Sequence, residues 1–183
     1  MSRLEPLRPE QLDARQRALY AAIVNGPRKG SGLVDDQGAL RGPFDPLLRT
    51  PAIGDAVQHL GAVIRFEGEL PDRLRELTII LVAAHWGCSF ELSAHGPLAE
   101  AAGVEPAVVA AIRAGQRPTF EPGSVDSLIA QAIGELLADR RLTEPTFDTL
   151  LTVLGEAQTS ELVVVVGYYS LLAMVLEGFG ISG

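Results

Sequence analysis

From Pro51 onward the chain is a succession of apolar segments with helical period, separated by short breaks, a pattern that leaves almost no room for a sheet. The segments fall at 52–66, 71–86, 89–102, 106–114, 125–139, 144–154 and 158–178. The breaks carry the chemistry of helix ends: Pro71 in a first turn, Gly103 after Ala102 as a cap, Pro106 opening the next segment, and Thr143-Glu144-Pro145 before another. The run 163–166 is β-prone, yet the apolar pattern continues through Leu171, Leu172 and Val175 at helical spacing, so it reads as helix. Upstream, Pro9-Glu10-Gln11-Leu12 opens a first helix with Leu12, Leu19, Tyr20 and Ile23 near one face, closing at Asn25-Gly26-Pro27. Residues 26–51 are rich in Gly and Pro and read as a long loop, which Phe44, Leu47 and Leu48 anchor as an ordered flap. The expectation is an all-α fold of seven to eight helices in a single domain over 1–183.

At 183 residues such a domain buries roughly 70% of its unfolded surface and needs no staples. The single cysteine cannot form an internal disulfide, which fits a reducing, cytoplasmic setting. The segment MSRLEPLRPEQLDARQR lacks the apolar region of a secretory signal, and no stretch reaches about 18 uninterrupted apolar residues, so no membrane span is expected. The longest apolar stretch, 162–176, is interrupted by Gly167, Tyr168, Tyr169 and Ser170, and suits a helix covered on most sides by its own fold or by a second copy. A net charge of −8 without a Lys/Arg cluster argues against nucleic acid as a partner.

The stretch AHWGCSFELSAHG, residues 84–96, concentrates the reactive side chains. Gly87 is the expected break between two helices. If the second begins near Cys88, then Cys88, Glu91 and His95 stand at i, i+3 and i+7 and share one face. A thiol in a first helical turn is biased towards thiolate by the macrodipole, although buried cysteine commonly serves as a small hydrophobe. Glu91 and His95, four apart, are spaced to hydrogen-bond and relay protons, or to form an ordinary surface pair; Leu92, Ala94 and Leu98 as buried neighbours favour the former. His85, Cys88, Glu91 and His95 are also usable metal ligand types, but no H-E-x-x-H motif or CxxC pair accompanies them, and the expectation is no metal and no cofactor. Glu76 sits in the apolar segment with Leu77, Ile79, Ile80, Leu81 and Val82. A carboxylate there is either neutralised by Arg73 or Arg75, or belongs to a functional site as an acid or base.

The segment LPDRLRELTIILVAAHWGCSFELSAHGPLAEAAGVEPAVVAAIRAG resembles the carboxymuconolactone decarboxylase family, which also includes the alkyl hydroperoxidase D-like proteins. The motifs RALYAAIVNGPR, GPFDPLLRTP and VVGYYSLLAM are similar to a long-chain branch of that family. The resemblance implies an all-α fold assembling as a homo-oligomer, trimer or hexamer, with sites at or near subunit interfaces. Its hydroperoxidase branch uses a Cys-x-x-Cys pair, a glutamate twelve residues before the first cysteine and a histidine four after the second. Glu76, Cys88 and His95 match those spacings, whereas Glu91 stands in place of the second cysteine and removes the resolving thiol of a disulfide cycle. The resemblance therefore implies a cofactor-free lyase or isomerase acting on a small carboxylated or lactone-like substrate. In it Glu76 and His95 exchange protons, Glu91 orients His95, and His85 assists binding or proton delivery. A single-cysteine peroxidase using Cys88 and a non-catalytic oligomeric binding protein are the alternatives.

Overall fold

A computed structural model describes residues 2–29 and 32–182; Gly30 and Ser31 of the Gly/Pro-rich stretch, with Met1 and Gly183, lie outside the described residues. Among the described residues the chain is helical without a strand, the only extended pairing being an isolated bridge between Val34 and Leu40. The helices are α1 (Ala14–Asn25), α2 (Phe44–Leu47), α3 (Pro51–Phe66), α4 (Asp72–Trp86), α5 (Ser89–Ala101), α6 (Pro106–Arg113), α7 (Val125–Asp139) and α8 (Glu144–Phe179). They fall into two compact units, one of residues 1–68 and 175–182, the other of residues 69–174.

In the first unit the opening differs from the sequence expectation. Pro9–Gln11 is a short 3-10 turn, and the helix proper restarts after Asp13, whose carboxylate accepts from the backbone N–H groups of Arg15 and Gln16 at 2.8 and 2.9 Å. Gln16 returns the bond to the Asp13 N–H at 2.9 Å, so a capping box written in the sequence splits the segment that periodicity alone joins. The described residues 32–51 of the Gly/Pro-rich stretch are more structured than a loop. Asp35 accepts from the N–H groups of Gln37 and Ala39 at 2.8 and 2.9 Å, folding a tight turn that carries the bridge, and α2 follows. Leu12, Leu19, Ile23, Leu40 and Leu48 form the core of this unit. In α3, Gly54 faces that core so closely that a Cβ would stand 2.6 Å from the Leu47 carbonyl oxygen and 2.7 Å from Leu19 Cδ2. Only a bare backbone fits there.

In the second unit α4 packs against α5, α6 and α7. Its residues Leu77, Ile79, Ile80 and Val82 are at most 1% exposed, which explains why α4 reads as apolar nearly all round. Arg73 joins the start of α4 to the start of α7 by a two-pronged contact with Asp126, both N–O distances being 2.8 Å, and that hydrogen bond raises the pKa of its guanidinium further. The Glu161 carboxylate accepts from the N–H groups of Glu69 and Leu70 at 2.7 and 2.9 Å, fixing the entry to α4. The segments expected at 144–154 and 158–178 are two helical stretches of α8 that meet at Gly155, whose φ 76° and ψ 175° are not helical, so the expected break is present. The run 163–166 is helical. By length and composition α8 could cross a membrane, and half of its most apolar window is buried within the protein.

Candidate functional site

The site is organised by the break between α4 and α5. Gly87 takes a left-handed conformation (φ 64°, ψ 22°) that a side chain would strain, and the chain reverses there so that α5 lies along α4. Cys88 becomes the N-cap residue of α5 and is fully buried. One face of α5 carries Glu91, His95, Gly96 and Ala99 inward. Leu92 is half-buried, while Ala94 and Leu98 point outward, contrary to the expectation that these three surround the pair. The pair is buried through α4 rather than through its own helical neighbours.

The resulting cluster is a carboxylate, an imidazole and a second carboxylate. Glu76 Oε2 lies 2.7 Å from His95 Nδ1, and Glu91 Oε2 lies 3.5 Å from His95 Nε2. Exposure is 4% for Glu76, 3% for Glu91 and 5% for His95. The short hydrogen bond to the imidazole thus comes from Glu76 on the neighbouring helix, and Glu91 makes the longer approach. Of the two arginines expected near Glu76, Arg73 is occupied by Asp126, and Arg75 is the neighbour, with Nε 3.9 Å from Glu76 Oε1 and Nη2 3.0 Å from Asp72. The Tyr169 and His95 rings are nearly perpendicular at a centroid distance of 5.2 Å, and Tyr168 makes the same kind of contact with Tyr169. Tyr169 was not singled out from the sequence, although a tyrosine pair in an otherwise aliphatic helix was the available signal.

His85 stands apart. It is exposed, edge-on to the Trp86 ring, and lines an open cavity of about 910 Å³ whose walls include none of Glu76, Cys88, Glu91 and His95. Among the described residues no three His, Cys, Asp or Glu side chains are arranged to hold a metal ion.

A carboxylate oxygen only accepts, so with Glu76 ionised the 2.7 Å contact is a hydrogen bond donated by His95 Nδ1, and in the neutral ring Nε2, which faces Glu91 Oε2 at 3.5 Å, is then the atom that can take a proton. A proton taken at Nε2 gives an imidazolium with a carboxylate at each ring nitrogen.

Residues 51–130 match the family model described as the carboxymuconolactone decarboxylase family. No curated protein matches the chain. Among solved structures, the fold is similar to an uncharacterised peroxidase-related protein with an alkylhydroperoxidase AhpD core from Ralstonia eutropha JMP134, at 15% identity and a TM-score of 0.73 over 98% of this chain and 90% of that one. An uncharacterised peroxidase-related protein from Silicibacter sp. TM1040 matches at 12% identity and a TM-score of 0.71, again over 98% and 90%. The architecture is that of the all-helical AhpD-like class. The likeness to the carboxymuconolactone decarboxylase family thus covers residues 51–130, and the likeness to the AhpD-like structures is one of fold.

Proposed function

We propose that the chain is a cofactor-free acid/base enzyme, a lyase or isomerase of the carboxymuconolactone decarboxylase type, acting on a small carboxylated or lactone-like organic substrate. The observation that carries this reading is the buried hydrogen bond between Glu76 and His95 with Glu91 at the opposite ring nitrogen. Glu76 holds the ring and its tautomer. His95 Nε2 takes a proton from an acidified carbon of the substrate, and the proton is returned from Nε2, or by way of Glu91, to the same or another carbon. The test is deuterium exchange: small lactones and carboxylic acids are incubated with the protein in heavy water and read by NMR. Incorporation at a single carbon, lost in His95→Gln, supports the reading; no incorporation into any substrate class contradicts it.

A second reading rests on Cys88 at the N-cap of α5, where the helix dipole favours a thiolate. In it the thiolate attacks a peroxide oxygen, becomes a sulfenic acid as water or alcohol leaves, and is returned by an external thiol. The acid/base reading predicts instead that Cys88→Ala keeps most turnover. Abolished turnover in a correctly folded variant, with rapid sulfenic acid labelling of the wild type, favours the peroxidase.

The chain is further proposed to assemble as a homo-oligomer, trimer or hexamer. The support is α8, which exposes Val153, Val163, Val164, Leu171 and Met174 at 39–56%. Light scattering at micromolar concentration is expected to give a multiple of 19.4 kDa. A monomeric mass throughout a dilution series contradicts it.

A further inference from the structure

The cavity that His85 lines takes no part in the acid/base cluster, and its walls have a chemistry of their own. They come from the ends of α4 and α6, the start of α5, the α6–α7 connection and α7. Leu81, Leu92, Ile112, Phe120, Ile133 and Leu137 supply apolar surface, and the volume of about 910 Å³ lies within the range of small-molecule sites. The charged lining is Arg113, Arg117 and Glu135, with His85 beside them.

The three charges are not equally available. Glu135 Oε1 accepts from Thr146 Oγ1 at 2.7 Å, Gln131 Nε2 at 3.0 Å and Thr143 Oγ1 at 3.2 Å, and Oε2 accepts from the Thr143 N–H at 2.8 Å. Burial pushes this carboxyl up, but those hydrogen bonds outweigh it and bring it down to about 2, so it is an anion committed to its own protein. Arg113 pairs with Glu100 at 3.2 Å, both side chains being more than 40% exposed, a contact of the solvent-screened kind that exchanges readily. Its guanidinium lies against the bare backbone of Gly96, where a Cβ would stand 2.5 Å from Nη2. Among the described residues the Arg117 guanidinium forms no ion pair and no hydrogen bond. A protein of net charge −8 thus presents two guanidinium groups at one cavity of mixed lining, where Ser89, Gln116, Ser127 and Gln131 stand among the apolar side chains, Glu135 is engaged and Glu100 is the exposed partner of Arg113.

We infer that this cavity binds a small organic acid, a single carboxylate on a ring-sized apolar body, with Arg117 and Arg113 holding the carboxylate and the leucine, isoleucine and phenylalanine side chains covering the ring. The planar donor fork of arginine matches a carboxylate in two parallel hydrogen bonds. The apolar part of the wall favours an acid with a body to bury over phosphate or acetate. The inference goes beyond the acid/base reading, and because it is measured as binding without turnover, either can fail alone.

The test is calorimetric titration of the full chain with benzoate and cyclohexanecarboxylate, and with benzamide, acetate and inorganic phosphate as comparisons. Saturable binding of the two ring acids is expected, with benzamide and acetate at least about tenfold weaker. Arg117→Gln and Arg113→Gln, exposed changes checked for unaltered melting temperature, are each expected to weaken benzoate binding by about tenfold. Equal affinity for benzamide, equal affinity for acetate or phosphate, no effect of Arg117→Gln, or no saturation at millimolar benzoate each overturns it.

Discussion

His95→Gln is expected to lower turnover by about 10²-fold or more, the loss associated with a positioned general acid/base group. Glutamine is close to histidine in size, so the defect is chemical rather than a cavity. Glu76→Gln is expected to cost a comparable factor for a different reason. A glutamine amide opposite Nδ1 offers an N–H as well as an oxygen; when it donates, Nδ1 becomes the acceptor and the ring proton moves to Nε2, the atom that must be free to accept. Activity measured over a range of pH with one verified substrate checks both. Full activity in either variant removes that residue from the relay.

Gly54→Ala is expected to destabilise the protein by about 1–3 kcal/mol despite the better helix propensity of alanine, because the added methyl meets a backbone carbonyl that cannot rotate away. The contacts are 2.6 Å to the Leu47 oxygen and 2.7 Å to Leu19 Cδ2, so α3 must move from α2 or the backbone of α2 must shift. Denaturant unfolding of wild type and variant measures it. A variant as stable as the wild type contradicts the packing of α3 on α1 and α2.

These two sites show how unevenly the sequence reports structure. Helix ends were legible because their signals are local: Gly87, Gly103 and Pro106 all act within a few residues of where they stand. The split at Asp13 was equally local, but the apolar spacing of Leu12 and Leu19 masked it. The reactive residues were legible as a set and less so as a geometry. Four-residue spacing pointed to Glu91 as the hydrogen-bond partner of His95, whereas the short bond is to Glu76, 19 positions away, and exists only because α5 folds back along α4. Tyr168 and Tyr169 stood out in an aliphatic helix, but that Tyr169 meets His95, and that Arg113 and Arg117 line one cavity, follows from tertiary packing rather than from any motif.

The central claim, that Glu76 fixes the His95 ring with Nε2 left basic, is tested most directly by nitrogen-15 NMR of the imidazole in the wild type and in Glu76→Gln. The account predicts that neutral His95 carries its proton on Nδ1, with a slowly exchanging, downfield-shifted proton that disappears or moves to Nε2 in the variant. A proton on Nε2 in the wild type, or a spectrum of His95 unchanged by Glu76→Gln, would contradict it.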